Sequence, residues 1–185
     1  MKKYFYNTLM IAIIAMAAVG FSSCEDAAIA STLEGTWKGN MYISADYGGR
    51  SYNSTYTEIT FLGDPYSISS GDGYWVDYYR DAPWGDYVAN HIEWKVNNRV
   101  IYVHFIEEGT SVTISDYRLN DDRFYGWLYD GGREVEFDLI HTSSPNWSNY
   151  RWGFDSWFYS RTRGEGASDS TAVEKPRRYV RGKQD

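Results

Sequence analysis

The chain has one cysteine, four prolines and three histidines in 185 residues. A single thiol excludes any disulfide within the chain, so stability must come from packing alone. The histidines, His91, His104 and His141, stand in no metal-ligand spacing, and no Cys/His cluster exists. A zinc site would need His104 and His141 to meet in space, and a partly buried, hydrogen-bonded histidine is the ordinary explanation of each. There is no Gly-x-Ser-x-Gly elbow, no Walker motif and no dinucleotide-binding glycine pattern. The acidic pairs Glu107-Glu108 and Asp121-Asp122 fall in turn-like stretches, where they read as solvated turn formers rather than an acid and base across a cleft. Asp72 and Asp77 do not complete an EF-hand pattern. No catalytic residue, metal or cofactor is therefore expected. Positive charge is scarce as well. Between Glu25 and Ser160 nine basic residues face 21 acidic ones, a net of −12, and so acidic a surface repels a phosphate backbone. Nucleic acid is excluded as the natural partner of the body. The longest apolar run, Leu9 to Val19, is too short to cross a hydrocarbon core about 30 Å thick.

That run has a different meaning. Lys2-Lys3, the apolar stretch and the small pair Ser22-Ser23 form the charged, apolar and small-residue regions of a secretory leader. Cys24 follows at once, an arrangement that resembles the bacterial lipoprotein signal, in which this cysteine becomes the lipidated first residue of the mature protein. Phe21 departs from the aliphatic residue usual at that place. Glu25-Asp26 is similar to an abbreviated form of the acidic signal that sends lipoproteins of the Bacteroidetes to the outer cell face, and reads equally as a solvated linker. The resemblance implies an extracytoplasmic protein held to the outer membrane, with the cell surface open to it. The expected organisation is a leader over 1–23, a tether over 24–33, a domain over 34–160 and a disordered tail over 161–185. The tail carries seven basic and four acidic residues and has no periodicity. Asp169-Ser170-Thr171 within it resembles the acidic-Ser/Thr O-glycosylation sequon of Bacteroides, with Ser170 as acceptor.

From Gly35 the hydrophobic period is two. Strands are predicted over Trp37–Ile43, Tyr52–Leu62, Tyr74–Tyr79, His91–Val96, Val100–Ile106, Ser111–Leu119, Phe124–Tyr129 and Arg133–His141. Asn97-Asn98 marks a tight hairpin. Val100–Ile106 is apolar at nearly every position, as in a strand covered on both faces. The last five strands, joined by short turns, form an antiparallel meander. Closing the sheet removes its unpaired edges, so the predicted fold is all-β, an eight-stranded antiparallel up-and-down barrel, with an open sandwich second. Asn146 to Tyr159 holds seven aromatic rings and must dock on something, as a short C-terminal helix or a last strand.

The aromatic residues, 18% of the chain, exceed what one inward face needs. In Tyr74-Trp75-Val76-Asp77-Tyr78-Tyr79 the rings point to both faces. Trp84 sits in a Pro/Gly loop, and Tyr125, Trp127 and Tyr129 share one face of their strand. These eight, Tyr74, Trp75, Tyr78, Tyr79, Trp84, Tyr125, Trp127 and Tyr129, are the candidate ligand-binding residues, for a small apolar ligand or a stacked glycan. Cross-strand aromatic pairing that merely stabilises the sheet is the plainer reading.

Leu33-Glu34-Gly35-Thr36-Trp37-Lys38-Gly39 opens the first strand with Gly-x-Trp. Followed by a β-meander, it resembles the lipocalin superfamily, and more closely the lipocalin-like lipoproteins of gut Bacteroidetes. Ser115-Asp116-Tyr117-Arg118 is similar to a second lipocalin signature, Thr-Asp-Tyr, with Ser for Thr. The resemblance implies that Gly35 relieves crowding where the chain enters the barrel and that Trp37 plugs its closed end. It also implies a non-catalytic binder of a small ligand. The alternative is an accessory lipoprotein that docks on a partner protein through exposed rings.

Overall fold

A computed structural model of the protein describes residues 23–154 and 176–182. The leader, Ser170 and most of the tail lie outside the described residues. The chain builds helix α1, described over residues 23–33, and ten strands: β1 (Gly35–Asn40), β2 (Ile43–Tyr47), β3 (Arg50–Gly63), β4 (Ser70–Tyr79), β5 (Tyr87–Asn97), β6 (Val100–Phe105), β7 (Thr110–Leu119), β8 (Arg123–Asp130), β9 (Arg133–Thr142) and β10 (Arg177–Val180). Neighbouring strands pair antiparallel from β3 to β9, and β1 pairs with both β3 and β9. That double pairing closes an eight-stranded barrel and leaves it without an edge. β2 continues β1 beyond a bend at Tyr42 (φ 52), pairs with the first half of β3 and takes β10 on its other side.

Alternation fixes the interior. Trp37, Ile59, Phe61, Trp75, Ile92, Ile101, Phe105, Phe124, Phe137 and Leu139 are essentially inaccessible. Their rings meet edge to face: Trp37 on Phe124, Phe61 on Trp94, Trp75 on Phe105 and Phe124 on Phe137. Such geometry adds to the gain from burial alone. An eight-stranded barrel is just wide enough to be filled by side chains, and six large rings or more fill this one.

Gly35 and Gly126 are among the glycines required by close approach. Gly35 has φ +126, and a Cβ there would lie 2.4 Å from His141 Nε2. Gly126 faces a bulge in β7 between Ser115 and Arg118, where Asp116 takes φ 49. A Cβ at Gly126 would lie 2.5 Å from the Cβ of Tyr117. The bulge turns the Tyr117 ring inward onto Phe124.

Several expectations are corrected. The tether over 24–33 is instead helical and closes one end of the barrel. Asp26, Ala30 and Leu33 form its buried stripe, and the spacing i, i+4, i+7 is that of one helix face. The Leu33 carbonyl accepts a hydrogen bond of 2.7 Å from Trp37 Nε1. The Asp26 carboxylate accepts from the amides of Asn98 and Arg99, each at 2.9 Å. Those two residues, both at positive φ, make the β5–β6 turn, one position later than Asn97-Asn98. β6 is covered on one face only: Ile101, Val103 and Phe105 are buried while Tyr102 is exposed. The tail is also not wholly irregular, since residues 177–180 form β10. Asn146 to Tyr159 holds no regular strand among its described residues. Trp147–Asn149 is a single 3₁₀ turn and Ala89 and Trp152 form an isolated bridge.

Candidate functional site

The two ends of the barrel differ. At the end opposite α1, which we call the mouth, the β4–β5 loop folds Trp84 over the opening. Trp84 packs edge to face on Tyr52, Tyr79 and Phe154. β10 crosses beside it, with Val180 and Arg178 turned inward and Tyr179 outward. The register sets this, since Arg178 pairs with Ala45 and Val180 with Ile43, both buried.

Arg178 is the centre of the mouth. Its side chain is 4% exposed, and its Nε donates to Asp77 Oδ2 at 2.7 Å. Its guanidinium lies over Phe105 at 4.1 Å and Trp75 at 5.1 Å from the ring centroids, a double cation–π contact whose value rises when it is dry. Asp77, fully buried, also accepts from Thr57 Oγ1 at 2.7 Å and Trp75 Nε1 at 3.0 Å. Glu108 turns its carboxyl in from the β6–β7 turn and accepts from Asn90 Nδ2 at 2.8 Å. Three buried polar atoms here, Arg178 Nη2, Asn90 Oδ1 and Tyr79 Oη, have no hydrogen-bond partner in the protein. Burial by itself would lower the Arg178 pKa, but the Asp77 and Glu108 carboxylates outweigh it and hold the guanidinium charged. Burial raises the Glu108 pKa, opposed by Arg178 and by the Asn90 hydrogen bond, while Asp77 adds to the rise.

The sign of that shift has a consequence for stability. A carboxyl whose folded pKa lies above its ordinary 4.5 binds its proton more tightly when folded, so its charged form opposes folding at neutral pH and the penalty fades as pH falls towards 4.5. Glu108→Gln is therefore expected to gain on the wild type as pH rises. Urea midpoints at pH 4.5 and 7.5 check this, and an equal difference at both pH values would refute it.

Beyond the rim lies a cleft of about 490 Å³ bounded by Glu107, Glu108, Trp152, Phe154, Arg177 and Arg178. The chain after β9 supplies its rings. That segment runs along the outer face of β4 and β5, where Trp147 and Trp152 pack on Tyr74 and Trp152 lies 3.9 Å from the His91 ring. Tyr150 Oη meets Tyr78 Oη at 2.5 Å, and Tyr78 donates to Glu58 Oε2.

The eight candidate rings thus divide among four environments. Trp75 and Tyr79 lie inside the barrel and Trp84 caps it, all at 5% exposure or less, so they present no surface to a ligand. Tyr74 and Tyr78 lie beneath the returning segment. Tyr125, Trp127 and Tyr129 form a half-buried outer stripe on β8, beside the Arg123–Asp138 ion pair, with the Arg123 guanidinium over Tyr125. Alternation reports a ring's face but not what covers it, so the eight candidates do not gather at one site. Arg178, Asn90 and Glu108 were missed. Arg178 sits in a stretch whose composition signals disorder, and Asn90 looks like loop chemistry until the register places it inward beside Trp75.

Trp37 is fully buried at the α1 end, with its ring edge to face on Phe124 and His141. His104 meets Ser111 on the outer face of β6, whereas His141 packs on Trp37 at the end of β9. No group of three or more metal-ligating side chains forms among the described residues.

A closed antiparallel eight-stranded barrel entered through Gly35 and Trp37 is the geometry to which the comparison speaks. A family model described as a lipocalin-like domain matches residues 33–125, half of the chain. The chain belongs to this lipocalin-like family. The match begins at the last residue of α1 and stops within β8, and β9 completes the lipocalin-like barrel. No curated protein and no solved structure matches the chain.

Proposed function

We propose that this lipocalin-like protein is a lipid-anchored, extracytoplasmic, non-catalytic binding protein that takes a small hydroxylated ligand, such as a short glycan, at the barrel mouth. One observation carries the reading: the mouth cleft sets the Trp152 ring, the Glu107 carboxylate and the Arg177 guanidinium beside Glu108 and the buried Phe154 and Arg178. Its volume lies in the range of small-molecule sites, and rings with a few convergent polar groups are their usual lining. An apolar ligand inside the barrel is disfavoured, because the interior is already occupied by side chains. A wider groove of about 910 Å³ runs beside α1 and the β7–β8 turn, but Glu25 lines it, next to the anchor.

Cys24 is exposed at the start of α1. A lipid there would hang the barrel by its closed end and leave the mouth facing away from the membrane. The leader and cysteine favour an outer-membrane lipoprotein of the Bacteroidetes kind.

Native mass spectrometry of protein extracted from its own host membranes tests both parts. A diacylated or triacylated Cys24 and a retained adduct of sugar mass, lost in Trp152→Ala, are expected. An intact mass equal to the unmodified full-length polypeptide would exclude the anchor, and an adduct insensitive to Trp152→Ala would move the ligand elsewhere.

A further inference from the structure

We propose that the barrel mouth is a receptor for an arginine-bearing extended segment of a partner protein, and that β10 of this chain is the resident occupant that such a segment displaces. The inference goes beyond the small-ligand reading and does not depend on it.

The receptor half belongs to the barrel. Asp77 on β4 is oriented by donors from β3 and its own strand, Thr57 and Trp75, neither of which comes from the tail. Trp75 and Phe105, the two rings that the guanidinium touches, are core residues on β4 and β6 packed edge to face at 5.1 Å. Glu108 and Asn90 complete the rim. Without a cation this slot would hold two carboxylates, Asp77 and Glu108, against aromatic walls, an arrangement that charge repulsion and desolvation both oppose. The site therefore demands a cation. The flat guanidinium suits it because it stacks on rings while its N–H fork meets a carboxylate.

The occupant half is short and comes from the far end of the chain. β10 is four residues long and pairs along one edge only, with β2. Beyond Arg178 it contributes Val180, buried against the core, and Tyr179, whose hydroxyl meets Ser51 at 2.6 Å and donates to Asp46 at 3.1 Å. The backbone amides of Val180 and Arg181 reach Asp130 Oδ2 and the Tyr42 carbonyl. This is strand addition: main-chain pairing supplies affinity, and a pocket for alternate side chains supplies selectivity. Here the alternate residues are an arginine and, two places on, a β-branched aliphatic. Charge favours the same class of ligand, since the body is strongly acidic and the segment basic.

The test uses the full chain and a fluorescent peptide, Pro-Arg-Arg-Tyr-Val-Arg-Gly, with the sequence of residues 176–182, alongside a control with alanine at its third position. Arg178→Ala vacates the guanidinium position while leaving the barrel walls and the rest of β10 in place. Fluorescence anisotropy is expected to show Arg178→Ala binding the arginine peptide about tenfold or more tightly than the control peptide, and more tightly than wild type does, because the resident strand competes at high effective concentration. Equal affinity for the two peptides, or no uptake by Arg178→Ala, overturns the proposal. An oligomer that depends on Arg178, seen by light scattering without peptide uptake, overturns it in favour of exchange between copies. Should Arg178→Ala emerge unfolded, refolding from urea with each peptide reads the same site: recovery with the arginine peptide alone supports the proposal, and recovery with neither overturns it.

Discussion

Asp77→Asn is expected to destabilise the protein by about 3–5 kcal/mol, because it leaves the Arg178 guanidinium buried without its counter-charge. The substitution keeps an oxygen where Thr57 and Trp75 donate but places an amide N–H donor against the Arg178 Nε–H, so the loss reports the ion pair together with its own hydrogen bond. In a domain of this size the midpoint of thermal unfolding should fall by roughly 10–20 °C. Arg178→Met removes the orphaned cation and replaces it with a flexible apolar chain suited to the gap between Trp75 and Phe105. In that background Asp77→Asn should cost no more than about 1 kcal/mol, so a double-mutant cycle returns a large coupling for this pair. Urea denaturation of the four proteins measures it. A coupling near zero would mean that water reaches the pair and that the mouth is not sealed by β10.

The second large effect lies at the other end. Trp37→Ala should cost about 3–5 kcal/mol, the usual range when a buried tryptophan becomes alanine. Two losses combine there. The ring no longer fills the space among Phe124, His141 and the strand ends, and the Leu33 carbonyl at the end of α1 loses its donor. Trp37→Phe separates the two, since it retains most of the ring and deletes the N–H. Its cost should be about 1–2 kcal/mol, set mainly by the unsatisfied carbonyl. If both substitutions prove nearly neutral in chemical denaturation, α1 does not close the barrel in solution.

Together these effects describe a barrel sealed twice, by a helix at one end and by an arginine strand at the other. A lipocalin-like barrel filled this way has no room for an interior ligand. In the proposed reading recognition is therefore pushed to the rim, where the chain after β9 contributes rings and the C-terminal strand contributes guanidinium groups. The functional reading follows from that displacement.

Much of the barrel was legible in the residues. Ile92, Trp94 and Val96 alternate with His91, Glu93 and Lys95, and Val135, Phe137 and Leu139 with Glu134, Glu136 and Asp138. Period two is imposed by the pleat of a single strand, so it survives in any window of sequence. Turns are equally local: Asp130-Gly131-Gly132 announces the β8–β9 hairpin, and Gly131 and Gly132 take positive φ there. α1 was not legible: Ile29, Ala30 and Leu33 stand at helical spacing, but the window is only about three turns long and the acidic pair before it reads as linker.

The candidate site was hardly legible, and the reason is distance along the chain. Asp77 and Arg178 are 101 positions apart, and nothing in Arg-Arg-Tyr-Val marks one arginine as buried and its neighbour as exposed. That assignment depends on the register of β10 against β2. A ring on a strand likewise declares its face but not its cover: Tyr74 and Tyr125 look alike in sequence, yet only Tyr74 lies under Trp147 and Trp152.

The amino-acid order alone settled that this chain makes strands, where most of them turn, and which side of each is apolar, because those properties arise from backbone geometry within a few residues. Only the folded arrangement decided that the barrel is full, that residues 23–33 stopper one end, and that a guanidinium from the far terminus occupies the other. Those outcomes rest on contacts between distant segments, whose energies exist only once the loops between them have closed.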